Sequence, residues 1–161
     1  VGKQLNLPVI SITKPGSSTR WSLRHLINAD IKSDDLVVWQ ITTMERFSIA
    51  NRSDQLTEVL LKHSAKNFIN NAHDDQMFAD QLSLLNYGVQ YLRARSQRFC
   101  IVSLDSLNPF YQELHDQYIL YPEYIYMPGW QTDLGSDQQH PGKLSHKTVA
   151  KYIADRLYST L

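Results

Sequence analysis

The sequence predicts an α/β fold, a central parallel sheet sandwiched between helices, and three observations carry that expectation. Short apolar runs of strand character alternate with longer segments of helical periodicity, and such alternation folds through right-handed crossovers into parallel strands. Two of the runs, LVVWQI (36–41) and RFCIVSL (98–104), are almost continuously apolar, as strands covered on both faces are. Between them Phe78, Leu82, Leu85, Val89 and Leu92 recur at spacings of four, three, four and three, which paints one core-facing stripe on a helix over 74–95.

Taken in order, PVISIT (8–13) is a β-branched run read as a strand, and KPGSST (14–19) supplies turn residues after it. The helix that follows carries Trp21, Leu23, Leu26 and Ile27 on its stripe. LVVWQI is the next strand, and TTMERFSIANRSD (42–54) reads as a polar loop. Helices are expected over 55–70 and 74–95, then the RFCIVSL strand ending at Asp105. From 108 to 130 the chain is rich in Tyr and Pro and shows no period, which predicts an irregular lid. In the last helix Val149, Ile153, Leu157 and Leu161 lie four apart, with Ser145 placed as its N-cap.

At 161 residues the chain suits one domain, residues 1–161, with a substantial core. Sixteen basic residues balance sixteen acidic ones, so no nucleic-acid footprint and no acidic-partner field is indicated. The single cysteine, Cys100, sits in an apolar run and is expected to be a buried, inert thiol. No apolar stretch approaches the roughly 18 residues of a membrane span, and no signal-peptide pattern opens the chain, so a soluble protein is expected. The first residue is Val1 rather than Met, which suits a processed or trimmed polypeptide.

In open parallel sheets ligands bind beyond the carboxyl ends of the strands. The loops leaving those ends are KPGSST, TTMERF, DSLNPF and SDQQHPG, so the polar candidates are expected along one edge. Within the last loop Asp137 and His140 are three apart. That spacing lets the carboxylate turn back and accept from the imidazole Nδ1–H, leaving Nε2 outward as a general base that can activate a hydroxyl. No cofactor is called for by this chemistry.

DQQHP followed by SH and an amphipathic helix resembles the last block, Asp-x-x-His, of the SGNH (GDSL-like) hydrolases, a superfamily of esterases, lipases, deacetylases and acyltransferases. Upstream, strand-PGSS-helix resembles the block that supplies the oxyanion-hole glycine, and DDLVVWQITT resembles the block after it. The resemblance implies a three-layer αβα sandwich of flavodoxin-like strand order. It also implies an ester hydrolase or O-acyltransferase acting on a small-molecule or glycan ester, with catalytic His140 and Asp137. Gly16, Ser17, Ser18 and Thr42 would then surround the oxyanion and substrate. Two departures stand out. Gln40 and Thr42 fall where the family has Gly and Asn, and no Gly-Asp-Ser nucleophile block precedes PVISIT. A sheet lacking its central strand would leave backbone groups unpaired at about 1–3 kcal/mol for each buried group. The expectation is therefore that a further strand bearing the serine lies upstream of Val1; the alternative makes PVISIT the first strand and Ser17 or Ser18 the nucleophile.

Each candidate also has a structural reading. His140-Pro141 before a helix can be a capping or solvent-facing feature, and Gly16-Ser17-Ser18 a turn with its N-cap, or an anion cradle. Asp137, His140 and His146 could gather a divalent metal, although no other ligand spacing supports one. Arg46 can bind an anion or pair with Glu45, and Tyr118, Tyr121, Tyr124, Tyr126 and Trp130 can pack as a lid or stack on sugars. The departures at Gln40 and Thr42 also suit an inactive binding or structural module, for example in a viral or cell-surface assembly.

Overall fold

The computed structural model describes residues 6–14, 17–41, 46–50, 56–60, 71–95, 97–103, 123–127, 129–138 and 140–158. Among them are three helices and five strands in the order α1 (Thr19–Asn28), β1 (Leu36–Gln40), β2 (Arg46–Ala50), β3 (Leu56–Leu60), α2 (Asn71–Ala94), β4 (Arg98–Ser103), β5 (Tyr124–Tyr126) and α3 (Lys143–Tyr158). The class is α/β, with a three-stranded parallel sheet ordered β1-β4-β5 and a separate antiparallel pair, β2-β3. The chain divides into two compact units, one of residues 12–37 and 41–98, the other of residues 1–11, 38–40 and 99–161.

In the first unit α1 starts at Ser18, whose hydroxyl accepts from Trp21 N–H at 3.1 Å and so satisfies one of the helix's free donors. Leu23 and Leu26 are its buried apolar residues, and the α2 stripe presents Leu85, Val89 and Leu92, each at most 1 % exposed. Polar groups seal the seam between these helices. Gln81 Nε2 donates to Thr19 Oγ1 at 2.6 Å with both residues buried, and Tyr91 donates to the Ile27 carbonyl at 3.2 Å. Farther along, Arg95, Gln97 and Arg98 donate to the carbonyls of Ile31, Asp35 and Asp34, pinning the polar loop before β1 to the turn before β4.

In the second unit β4 is the sheet's middle strand and is buried from Phe99 to Ser103, as its unbroken apolar run predicts. It pairs with β5 in register Ile101↔Tyr124, Val102↔Ile125 and Ser103↔Tyr126. α3 buries Val149, Ile153 and Leu157, the predicted four-residue stripe, while Lys147, Lys151 and Asp155 stay in solvent. Leu161 lies outside the described residues. Cys100 is 2 % exposed, and burial pushes its thiol up to about 12, so it is inert as expected.

Four expectations about the strands need correction. PVISIT lies in none of the strands: Val9 is 67 % and Ile10 92 % exposed, because a β-branched run favours extended backbone but becomes a strand only with a ladder partner. LVVWQI is not covered on both faces; β1 ends the described sheet, and of its central residues Trp39 is buried while Val38 is exposed. TTMERFSIANRSD and the start of the expected 55–70 helix contain a hairpin, with Arg46↔Leu60 and Ser48↔Glu58 in register. The β-branched and apolar residues Phe47, Ile49, Thr57 and Val59 flank NRSDQ, a run of turn formers, and this period of two outweighs the helical reading. Finally, the expected irregular lid contains β5, with Tyr124 and Ile125 buried in the sheet.

Candidate active site

The loop that carries Asp137 and His140 is closed on itself. Leu134 and Pro141 form an antiparallel bridge, Gly135 N–H donates to the His140 carbonyl at 2.7 Å, and Gln138 N–H donates to the Gly135 carbonyl at 3.0 Å. Gln138 takes φ +57°, a left-handed conformation that costs a non-glycine residue about 1–2 kcal/mol. The tight turn brings the carboxylate back. Asp137 Oδ1 accepts from His140 N–H at 3.1 Å and Oδ2 meets Nδ1 at 2.5 Å. A carboxylate only accepts, so Nδ1 carries a proton, and in the neutral ring Nε2 is left with a lone pair, the arrangement expected of an oriented general base.

The histidine and aspartate side chains are 78 % and 50 % exposed. An ion pair so open to water contributes about 0–1 kcal/mol. It cannot hold its own loop, and the holding groups lie at the loop's base. Asp133 reaches across to the first turn of α3, where Oδ2 accepts from Leu144 N–H at 3.0 Å and Oδ1 from Ser145 N–H at 2.7 Å. The Ser145 hydroxyl donates to Asp133 Oδ1 at 2.6 Å and accepts from Thr132 N–H at 2.9 Å and Asp133 N–H at 3.1 Å. One donor and two acceptors use its full capacity, consistent with 0 % exposure. Gly142 N–H donates to the Asp133 carbonyl at 2.9 Å, completing the bracket.

The expectation of Ser145 as N-cap is thereby corrected. The helix begins at Lys143, Ser145 lies in its first turn, and the capping carboxylate comes from Asp133, ten residues before the helix. A cap delivered across a loop has no local spacing signature, which is why the sequence does not announce it.

The Ser145 hydroxyl, foremost, and the N–H groups of Leu144 and Ser145 hold the Asp133 carboxyl below its ordinary value. A carboxyl depressed in the folded state contributes stability above its unfolded pKa, near 3.9, and loses it as pH falls through the folded value. Urea unfolding followed by helix signal from about pH 5 to about pH 2 should therefore show a loss of stability that Asp133→Asn diminishes. Equal slopes in the two proteins would show that Asp133 is not a source of the acid lability.

The other candidates are placed as follows. Ser18 is buried at 1 % exposure and its hydroxyl caps α1; Ser17 N–H donates to the Lys14 carbonyl at 3.2 Å. Both belong to the first unit, Asp137 and His140 to the second. Gly16, Thr42, Tyr118 and Tyr121 lie outside the described residues, as do the side chains of Arg46 and Tyr126. Trp130 is half-buried and its ring centroid lies 6.4 Å from that of the exposed His146. Among the described residues no group of three or more His, Cys, Asp or Glu is placed to hold a metal, and no helix is long and apolar enough to cross a membrane.

The site so defined is an oriented Asp–His pair on a bracketed loop, ahead of the last helix of an α/β chain. Comparison with known proteins adds no relative: no family model, no curated protein and no solved structure matches the chain.

Proposed function

We propose that this chain is a divergent SGNH-like hydrolase that transfers acyl groups from esters, either to water or to a hydroxyl acceptor such as a glycan. The observation that carries the reading is the Nδ1–carboxylate contact of His140 and Asp137 on the loop before α3. Such a contact fixes the tautomer that lets Nε2 take a proton from a serine hydroxyl and return it to the leaving group. The nucleophile in this reading is a serine on a strand supplied by a part of the protein outside these 161 residues, and the parallel sheet extends into a three-layer αβα sandwich.

A second reading, an acyl-silent binding or structural module of the same fold, is favoured by one specific observation. The Ser18 hydroxyl, a nucleophile candidate within this chain, caps α1 and is buried at 1 % exposure. Turnover decides between the two. The full-length protein should hydrolyse small activated acetyl esters above the rate of its His140→Ala variant; equal rates across several acyl esters would favour the silent module.

A further inference from the structure

We propose that Asp133 is a positioning residue for the Asp137–His140 pair, holding the loop in the one closure that puts the carboxylate on Nδ1. The inference rests on the reading of that pair as the working site, but its geometry is independent of any substrate. Two legs of chain, 132–135 and 140–145, are joined by a ladder of bonds. Starting from the helix, these are the Leu144 and Ser145 N–H groups to the Asp133 carboxylate, the Thr132 and Asp133 N–H groups to the Ser145 hydroxyl, Gly142 N–H to the Asp133 carbonyl, and Gly135 N–H to the His140 carbonyl. The last rung fixes the His140 backbone, and the lower rungs pass through Asp133 or through the hydroxyl it orients.

The ordering of strengths gives the direction of control. The Asp137–His140 contact is open to solvent and weak as a clasp, whereas the Asp133 bonds are charge-assisted and centre on a wholly buried hydroxyl. The stronger, drier cluster sets the loop and the exposed pair inherits its geometry. Gln138 in the left-handed region adds to this, because a turn held in an unfavourable conformation opens when its base is released.

A pure helix cap would act on α3 and leave the imidazole alone, so the test reads the imidazole. With the full chain labelled with 15N on histidine, the ring-nitrogen resonances of His140 report its tautomer at about pH 9, well above the ordinary imidazole range. The wild type should show the ratio of Nδ1–H to Nε2–H forms raised by about fivefold over that of a free imidazole, the most that a solvent-exposed contact of this kind imposes. Asp133→Ala should lose that excess and revert to the Nε2–H preference of a free imidazole. Asp133→Asn, which keeps an oxygen for Ser145 N–H but turns an amide group on Leu144 N–H, should lose part of it. Lys151→Gly, an exposed change in mid-α3, should weaken the helix yet keep the wild-type ratio. A wild-type ratio in Asp133→Asn, or in a folded Asp133→Ala, would overturn the proposal, as would an equal loss in Lys151→Gly. Because no ester enters the measurement, a protein without acyl chemistry could still pass it, and the two readings fail separately.

Discussion

Replacing His140 with alanine should lower turnover of an activated acetyl ester by about 10⁴- to 10⁶-fold, because a nucleophile and its base act as a unit and losing either removes most of the rate. The same change should leave the fold intact. His140 is largely exposed, so its removal opens no cavity, and the surface pair it leaves is worth at most about 1 kcal/mol, or a shift of about 2–4 °C in Tm. Asp137→Asn should cost about 10⁴-fold in kcat, since an amide cannot stabilise the imidazolium and turns the ring to the wrong tautomer. Circular dichroism and steady-state kinetics on the same samples check both halves. A large loss of rate accompanied by a large loss of Tm would mean that the pair supports the structure rather than the chemistry.

Gly142→Ala should be the most destabilising small change in the loop. A methyl built there collides with Asp133 Oδ2 and falls 2.6 Å from both Asp133 Cγ and the Leu134 carbonyl oxygen. The carbonyl is main chain within the bridge to Pro141 and cannot turn aside, so the carboxylate must leave α3. Overpacking together with loss of the cap should cost about 2–4 kcal/mol. In a chain of this size that lowers Tm by about 5–15 °C. Gly135→Ala is the matched comparison. There the nearest atoms, Asp137 Oδ1 and the His140 carbonyl, stand at 3.4 Å, an ordinary contact, and the change in stability should stay within about 1 kcal/mol. Melts of the two variants that differ by less than the wild-type reproducibility would contradict the bracket.

The residues that fold through local pattern were legible in the sequence, and those that depend on a distant partner were not. The stripes of α2 and α3 and the unbroken run of β4 are periodicities that burial turns directly into structure, and the Asp137–His140 pair is a three-residue spacing within one loop. The β2-β3 hairpin is hard to see in the sequence because its polar residues sit on the strands as well as between them, so its composition resembles a loop although its residues alternate. PVISIT misleads for the opposite reason: its composition suits a strand, but pairing is supplied by a neighbour, not by the run itself. Asp133 carries no sequence signature, because a carboxylate ten residues before a helix has no fixed offset to reveal it. The left-handed Gln138 carries no glycine or asparagine to mark its turn.

Covalent capture tests the central claim most directly. The full-length protein is treated with a fluorophosphonate that traps activated serine nucleophiles, in parallel with its His140→Ala variant, and the modified peptide is mapped by mass spectrometry. The account predicts stoichiometric modification of a single serine in the wild type and at least about a hundredfold slower labelling in the variant, because the serine is activated by an imidazole that Asp137 holds in place. No labelled serine, or labelling at equal rates with and without His140, would contradict it.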